Sequence, residues 1–370
     1  MPGTSAEDDA LEVVVLLGTS FAQLETQGTR WRYVLQAWAA ERRIRRLVAV
    51  DFPRLSPRRL LSSELAVSRP SWIEGCELVE VHVPLHRATS LGAGWVWRRT
   101  GQAVRELLGP AQAPRIAVAA TPLSVSLLEH LGAGHRGFDA VDDWRVLPGV
   151  QHLRAHVHHG YARLSTRLSC SSVSQHLSAT LEKDFGVLAV TVPNGVDLNA
   201  YRRPQPAPDG LPDGPFAVYV GVIQQRFDLD LLESLTHAGV PVVVAGPASG
   251  TAADRLADSG ALWLGRVDVA LVPGLLQRAA VGLVPHVVDP LTASMDPMKV
   301  LEYLAAGLRV VTTPVARSVT SERLVEAGRE QFVAATRAAL DRPRPSGPDP
   351  AVAERDWAVV ARRLLEVHAG

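Results

Sequence analysis

The sequence predicts an α/β protein made of two doubly wound parallel-sheet domains in tandem. Three observations lead there. From residue 216 onward, short Val-rich runs alternate with helix-like segments. The first half shows the same alternation less regularly. A chain of 370 residues is also long enough to bury two separate cores.

In the second half, FAVYVGVI, PVVVAG, ALWLG, VGLVPH and LRVVTTP are nearly continuous apolar runs. Such runs suit strands buried on both faces of a parallel sheet. Between them lie DLDLLESLTHAG, TAADRLADSG, VALVPGLLQRAA and DPMKVLEYLAAG, several closed by the glycine that commonly ends a helix. Repetition at this spacing means βαβ units with right-handed crossovers.

In the first half, LEVVVLLGTS reads as a strand opening into a loop, TRWRYVLQAWAAER as an amphipathic helix and RRLVAVDFP as a second strand. CELVEVHVP, RIAVAA and FDAVDD follow as strands, SVSQHLSATLEKDFG as a helix and LAVTVPNGVD as a final strand. The stretch RRPQPAPDGLPDGP at 202–215 reads as a linker or long surface connection, and RPRPSGPDP at 342–350 sets off the last twenty residues. The expected division is an N-terminal domain over 1–195, a C-terminal domain over 196–345 and an amphipathic helical tail over 346–370. That tail is free to pack back on the N-terminal domain.

Basic and acidic residues balance at 38 each, which argues against nucleic acid as a partner. Two cysteines, Cys76 and Cys170, are too few for a disulfide framework and read as free thiols in a reducing compartment. MPGTSAEDDALEVVVLLG is acidic ahead of its apolar run, the reverse of a signal peptide, and no run approaches the ~20 apolar residues of a membrane span. The expectation is a soluble, cytoplasmic protein without a transmembrane segment. Lys183 and Lys299 are the only lysines among basic residues that are otherwise arginine.

In open α/β sheets, ligands bind beyond the carboxyl ends of strands where strand order reverses, and a cleft between two facing domains is the default site. The stretch DPMKVLEYLAAGLRVV, residues 296–311, fits such a place. Asp296 is expected to cap the helix and Pro297 to be its first residue. The free amides of Met298 and Lys299 then favour an anionic phosphate. Lys299 adds charge, and Glu302, one turn on, can accept from sugar hydroxyls. The bland alternative is a capped helix with two solvated charges.

MDPMKVLEYLAAGLRVVTTPV resembles the end of the nucleotide-binding domain in group-1 glycosyltransferases of the GT-B fold, in the branch with DP-x-K before EYLAAG. VTVPNGVDLNAY resembles the turn where that family enters its second domain, and FAVYVGVIQQRFDLDLLESL, VVVAGPA and FDAVDDW extend the match. The resemblance implies two Rossmann-like doubly wound domains facing across a cleft. It also implies retaining transfer of a sugar from a nucleotide-diphosphate sugar to an acceptor hydroxyl. The acceptor, held by the N-terminal domain, is a glycan, a lipid carrier or a small natural product. No metal and no cofactor are implied, since the nucleotide sugar is a substrate.

The sequence departs from the family in three places. Ser294 stands where many members have a glutamate, eight positions before Glu302. Val222 and Phe227 replace the arginine and lysine that clamp the diphosphate after the glycine matching Gly221. Arg226 is adjacent and is expected to take over that clamp, because a guanidinium can hold a phosphate in bidentate fashion. The expected catalytic residues are Asp142, Asp143, Arg226 and Lys299. Asp142 and Asp143 end a strand, where they orient sugar or acceptor or merely cap a turn. The expected donor contacts are Gly18 and Thr19 after the first strand, Gly221, Arg226, Gly265 and Arg266 beside the nucleobase, Ser294, Met298, Lys299 and Glu302.

Two rival readings share the donor: a nucleotide-sugar epimerase of GT-B fold, and a non-catalytic relative that binds it. The chain has no G-x-G-x-x-G, G-x-S-x-G or P-loop motif. His156, His158 and His159 lack ligand spacing for a metal and read as a wet helix face. Trp31, Trp38, Trp95 and Trp97 read as helix core or as the lining of an acceptor groove.

Overall fold

The computed structural model describes residues 10–52, 54–56, 64–84, 94–164 and 167–370. The chain separates into two compact units, Met1–Val192 with Val360–Gly370, and Pro193–Val359.

The first unit is a sheet of nine strands among the described residues: β1 (Leu11–Leu16), β2 (Ile44–Val50), β3 (Arg54–Ser56), β4 (Glu64–Ser68), β5 (Cys76–Pro84), β6 (Arg115–Ala119), β7 (His135–Ala140), β8 (Ser169–Ser172) and β9 (Val190–Thr191). They run in the order β3-β5-β2-β1-β6-β7-β8-β9 with β4 antiparallel on β5 and every other pairing parallel. Chain order reverses beside β1, so the switch point lies between the carboxyl ends of β1 and β6. Val14, Leu16, Val48, Val79, Ala117 and Phe138 fill one face of this core. The expected strand LAVTVPNGVD shrinks to the two residues of β9, because Asn194 turns away to bind Asp296.

Five described helices cover this sheet: α1 (Phe21–Thr26), α2 (Arg30–Ala39), α3 (Gly94–Leu108), α4 (Arg154–Ala162) and α5 (Gln175–Phe185). Trp31 and Trp38 are buried on α2 and meet edge to face at 5.7 Å, so they are core. The side chains of Trp95 and Trp97 lie outside the described residues. His156, His158 and His159 sit exposed on α4.

The second unit is a six-stranded parallel sheet: β10 (Ala217–Val220), β11 (Val242–Ala245), β12 (Leu262–Trp263), β13 (Val281–Val284), β14 (Arg309–Thr312) and β15 (Leu324–Glu326). Their order is β12-β11-β10-β13-β14-β15, which reverses beside β10 and puts the switch point between β10 and β13. The helices are α6 (Leu229–His237), α7 (Thr251–Asp258), α8 (Val272–Arg278), α9 (Pro290–Ser294), α10 (Met298–Ala305) and α11 (Phe332–Leu340). Two cores flank the sheet, one around Val218, Val243, Leu301 and Leu304 and one around Tyr219, Leu231, Val244 and Phe332.

Segment 202–215 lies inside this unit. The Gln205 backbone N–H donates to Gln277 Oε1 at 2.8 Å, Gln277 Nε2 donates to the Arg203 carbonyl at 2.8 Å, and Gly274 backs onto the Pro206 carbonyl. It is a surface connection fastened to α8. Segment 342–350 is fastened too: Arg344 donates to the Ala306 carbonyl at 2.6 Å and to the Ala279 carbonyl at 2.9 Å, closing the ends of α10 and α8. Residues 346–359 stay with the second unit, held by the Asp349 N–H to the Leu304 carbonyl at 2.9 Å and by the bridge between Val196 and Asp356. Only the last eleven residues, most of α12 (Trp357–Ala369), return to the first unit. No described helix is long and apolar enough to cross a membrane.

Candidate active site at the switch point of the second unit

Two features of β13 and α10 bring the site together. Gly282 leaves room for the Tyr303 ring, where a Cβ would collide with it, so α10 packs close on the sheet. The Val220 N–H then donates to the Tyr303 hydroxyl at 2.9 Å and ties α10 to the end of β10. Lys299 and Glu302, one turn apart on α10, are both half-buried.

Asp296 does not cap α10. Pro297 holds that position without a side-chain cap. The Asp296 carboxylate accepts instead from the Asn194 N–H at 2.8 Å and the Ser318 N–H at 2.9 Å. Burial raises its pKa, and those hydrogen bonds oppose the rise. Its partners are distant in sequence, so only folding reveals the role.

At the carboxyl end of β10, Lys299 Nζ donates to the Tyr219 hydroxyl at 2.9 Å and lies 4.2 Å from the centroid of the same ring. His286, two residues past β13, presents Nε2 to Lys299 Nζ at 3.4 Å. The His286 backbone is locked from both sides, its N–H donating to Thr313 Oγ1 at 3.1 Å and its carbonyl accepting from that hydroxyl at 2.7 Å. Arg226 enters from the loop after β10, which runs against Pro285–Val287: the Val287 N–H donates to the Arg226 carbonyl and the Asp228 N–H to the Pro285 carbonyl, both at 2.8 Å. Arg226 Nε and His286 Nδ1 are buried without a hydrogen-bond partner.

These groups disturb one another's charge. Burial, and then the Arg226 charge, pull the Lys299 ammonium down to about 7, with Glu302 opposing. Burial first, then Lys299 and Arg226, hold His286 well below its usual range. Burial raises Glu302, and Lys299 opposes that shift.

The floor is bare backbone. Gly221, at φ 145°, has Lys299 Nζ 3.0 Å from where a Cβ would stand, and Gly246, at φ 154°, is pressed against the Gly221 carbonyl. The Gly246 N–H donates to the Gly265 carbonyl at 2.7 Å and Trp263 Nε1 to the Gly246 carbonyl at 2.9 Å. The loops after β10, β11 and β12 thus form one shelf on which a flat ligand can lie.

Residues 219–342, which contain this whole constellation, match the family model for group 1 glycosyl transferases. That match spans 124 of the chain's 370 residues. The putative teichuronic acid biosynthesis glycosyltransferase TuaH of Bacillus subtilis (strain 168) is 26% identical over 157 residues, a stretch spanning 40% of this chain and 40% of that protein. Among solved structures, Anabaena HepE in complex with UDP and glucose superposes with a TM-score of 0.66 at 13% identity, covering 97% of this chain and 99% of HepE. Trehalose-6-phosphate synthase OtsA gives 0.63 at 13% identity over 97% of this chain and 95% of OtsA. AviGT4, a glycosyltransferase involved in avilamycin A biosynthesis, gives 0.57 at 17% over 97% of both chains. The fold is that of the GT-B glycosyltransferases.

Within the matched stretch, Gly221, Arg226, Lys299 and Glu302 converge. Met298 begins α10 and is half-buried, while Arg266 is exposed beside Gly265, whose φ is 64°. Ser294 is buried at the end of α9, its hydroxyl donating to the Leu291 carbonyl at 2.9 Å. Phe227, at the absent lysine's position, is buried against Tyr219 at 4.4 Å. Tyr219 and His286 escaped sequence reasoning. The available signal was a polar side chain in or just past the two strands flanking the switch point.

The other expected residues lie in the first unit. Gly18 follows β1 so tightly that a Cβ would stand 3.0 Å from the Trp144 ring and 3.2 Å from the Ala120 carbonyl. Thr19 Oγ1 is buried without a hydrogen-bond partner. Asp143 is gripped by Arg145, through Nε at 2.9 Å and Nη2 at 2.7 Å, whereas Asp142 stays half-buried and its carbonyl accepts from Tyr161 at 3.4 Å.

Proposed function

We propose that the protein transfers a glycosyl group from a nucleoside-diphosphate sugar to an acceptor hydroxyl, with retention and without a metal. The observation that carries this reading is the pair Arg226 and Lys299 at the switch point, two cations with no carboxylate in ion-pair contact with either among the described residues. A diphosphate supplies the missing anion. HepE, which shares the fold, is a complex with UDP and glucose.

In this mechanism the bond from the anomeric carbon to the diphosphate breaks and a bond to the acceptor oxygen forms on the same face. The acceptor proton passes to the leaving diphosphate. Arg226 and Lys299 stabilise the charge that grows there, which is where a preorganised cation lowers a barrier. Glu302 accepts from the ribose hydroxyls. Acceptor binding is assigned to the first unit.

The test is a thermal-shift panel of nucleoside diphosphates and nucleotide sugars, followed by product analysis with and without acceptors and with a chelator present. A specific ligand at 100 times its Kd should stabilise by about 2.7 kcal/mol. Transfer product in the presence of chelator is expected. Free or epimerised sugar from donor alone would replace this reading, and a panel without any binder would end it.

A further inference from the structure

We propose that a nucleoside diphosphate binds together with one proton, which Lys299 takes up, so that affinity falls as the pH rises above neutrality. This rests on the reading of the second unit's switch point as a diphosphate site. The geometry is that of a cation in poor company. From β10, Lys299 Nζ meets the Tyr219 hydroxyl at 2.9 Å, and from the loop after β13 it meets His286 Nε2 at 3.4 Å. From the loop after β10 comes the Arg226 charge, and from its own helix Glu302. The first two neighbours are neutral and the third repels it.

Two like charges in a half-buried place do not both persist without an anion. Arginine stays protonated in proteins, so the lysine is the group that yields. Burial with the Arg226 charge brings Lys299 down to about 7, and Glu302, itself raised by burial, opposes this only in part. A diphosphate laid between the two cations reverses the balance, because an opposite charge nearby favours the protonated form. The amine then takes one proton from the buffer. Below about pH 7 Lys299 carries its proton already and no uptake occurs. Above it, binding must include protonation, and the dissociation constant rises by up to about tenfold per pH unit.

The probe is UDP, with GDP, TDP and ADP as alternates, titrated calorimetrically into the full chain at pH 8 in buffers of different ionisation enthalpy. The expected result is uptake of close to one proton per site, with Kd weakening from pH 7 to 9. Lys299→Arg, whose charge does not titrate, should still bind, with no uptake and a flat pH profile. At pH 8 the nucleotide's own terminal phosphate, with a second ionisation near 6, is already ionised and adds no proton of its own to the balance. Binding without uptake would overturn the proposal and leave the diphosphate reading standing. Uptake that persists in Lys299→Arg would overturn the assignment to Lys299. Absence of binding by every probe would overturn both. Should Lys299→Arg fail to fold, the wild-type slope of Kd against pH decides alone.

Discussion

Gly246 stands against Gly221 so closely that a Cβ on Gly246 would fall on the Gly221 carbonyl oxygen. Both glycines hold φ values that L side chains rarely adopt, 154° and 145°. Gly246→Ala should therefore destabilise the second unit by at least the 1–3 kcal/mol, roughly, of a strained backbone, and push the shelf away from Lys299. Gly265→Ala makes the contrast: φ is 64°, but the space around it is open. It should cost only about 1–2 kcal/mol. Thermal melts with and without a nucleoside diphosphate check this: Gly265→Ala keeps its ligand-induced shift and Gly246→Ala loses it. Equal behaviour of the two would mean that the contact between the glycines is immaterial.

Arg226 should matter more in the transition state than in binding, since charge on the leaving diphosphate grows as the glycosidic bond breaks. Its guanidinium Nε is buried with no hydrogen-bond partner. Arg226→Ala should lower kcat by on the order of 10²-fold. Arg226→Lys should recover part of that, because the charge survives and the fork is lost. Steady-state kinetics with the donor and acceptor found by screening decide this, and a near-normal kcat for Arg226→Ala would remove Arg226 from the mechanism.

Most of the sheet of the second unit was legible because strands buried on both faces announce themselves as apolar runs. VVVA and VGLV needed no context. β8 did not show, because its sequence is SCSS: Ser171 and Ser172 are buried by hydrogen bonds to Asp139 and to the Ser174 carbonyl, not by apolar packing. α9 left no mark in the sequence because its five residues depend on a capping box between Asp289 and Thr292. Lys299 and Glu302 stood out in the sequence as charges on an apolar helix, and Arg226 as the arginine beside the departures at Val222 and Phe227. Tyr219 and His286 were missed because an aromatic in a strand and a histidine after one look like core until the switch point is located.

Glu302→Gln should weaken nucleoside-diphosphate binding by about 1.5–3 kcal/mol, the worth of a hydrogen bond to a charged group, while the melting temperature of the ligand-free protein stays close to wild type. Calorimetric titration measures the first and a thermal melt the second. Unchanged affinity would take Glu302 out of the site.

The last prediction concerns His368, which joins α12 to the first unit. The Ser171 hydroxyl donates to Asp139 at 2.7 Å, so His368 Nε2 donates to Ser171 at 3.1 Å and Nδ1 accepts from Ser169 at 2.9 Å. The ring fits only against a residue without a side chain, Gly137. Asp139 is held in turn by buried Arg30 at 2.9 Å. This network suits the neutral imidazole, since a second ring proton would turn the Ser169 contact from acceptor to donor. Burial lowers the His368 pKa from 6.5 to about 4, with Asp139 opposing and Arg30 assisting. Between these values the unfolded chain binds the extra proton, so stability is fully present above pH 6.5 and is lost as pH falls through 4. The total is about 3 kcal/mol, of which about 2 kcal/mol should be gone by pH 5. Hydrogen exchange of α12, corrected for the intrinsic pH dependence, should show protection falling between pH 7 and 5. His368→Gln should start less protected and lose little more over the same range. Parallel pH profiles for the two proteins would show that His368 does not titrate on release of α12.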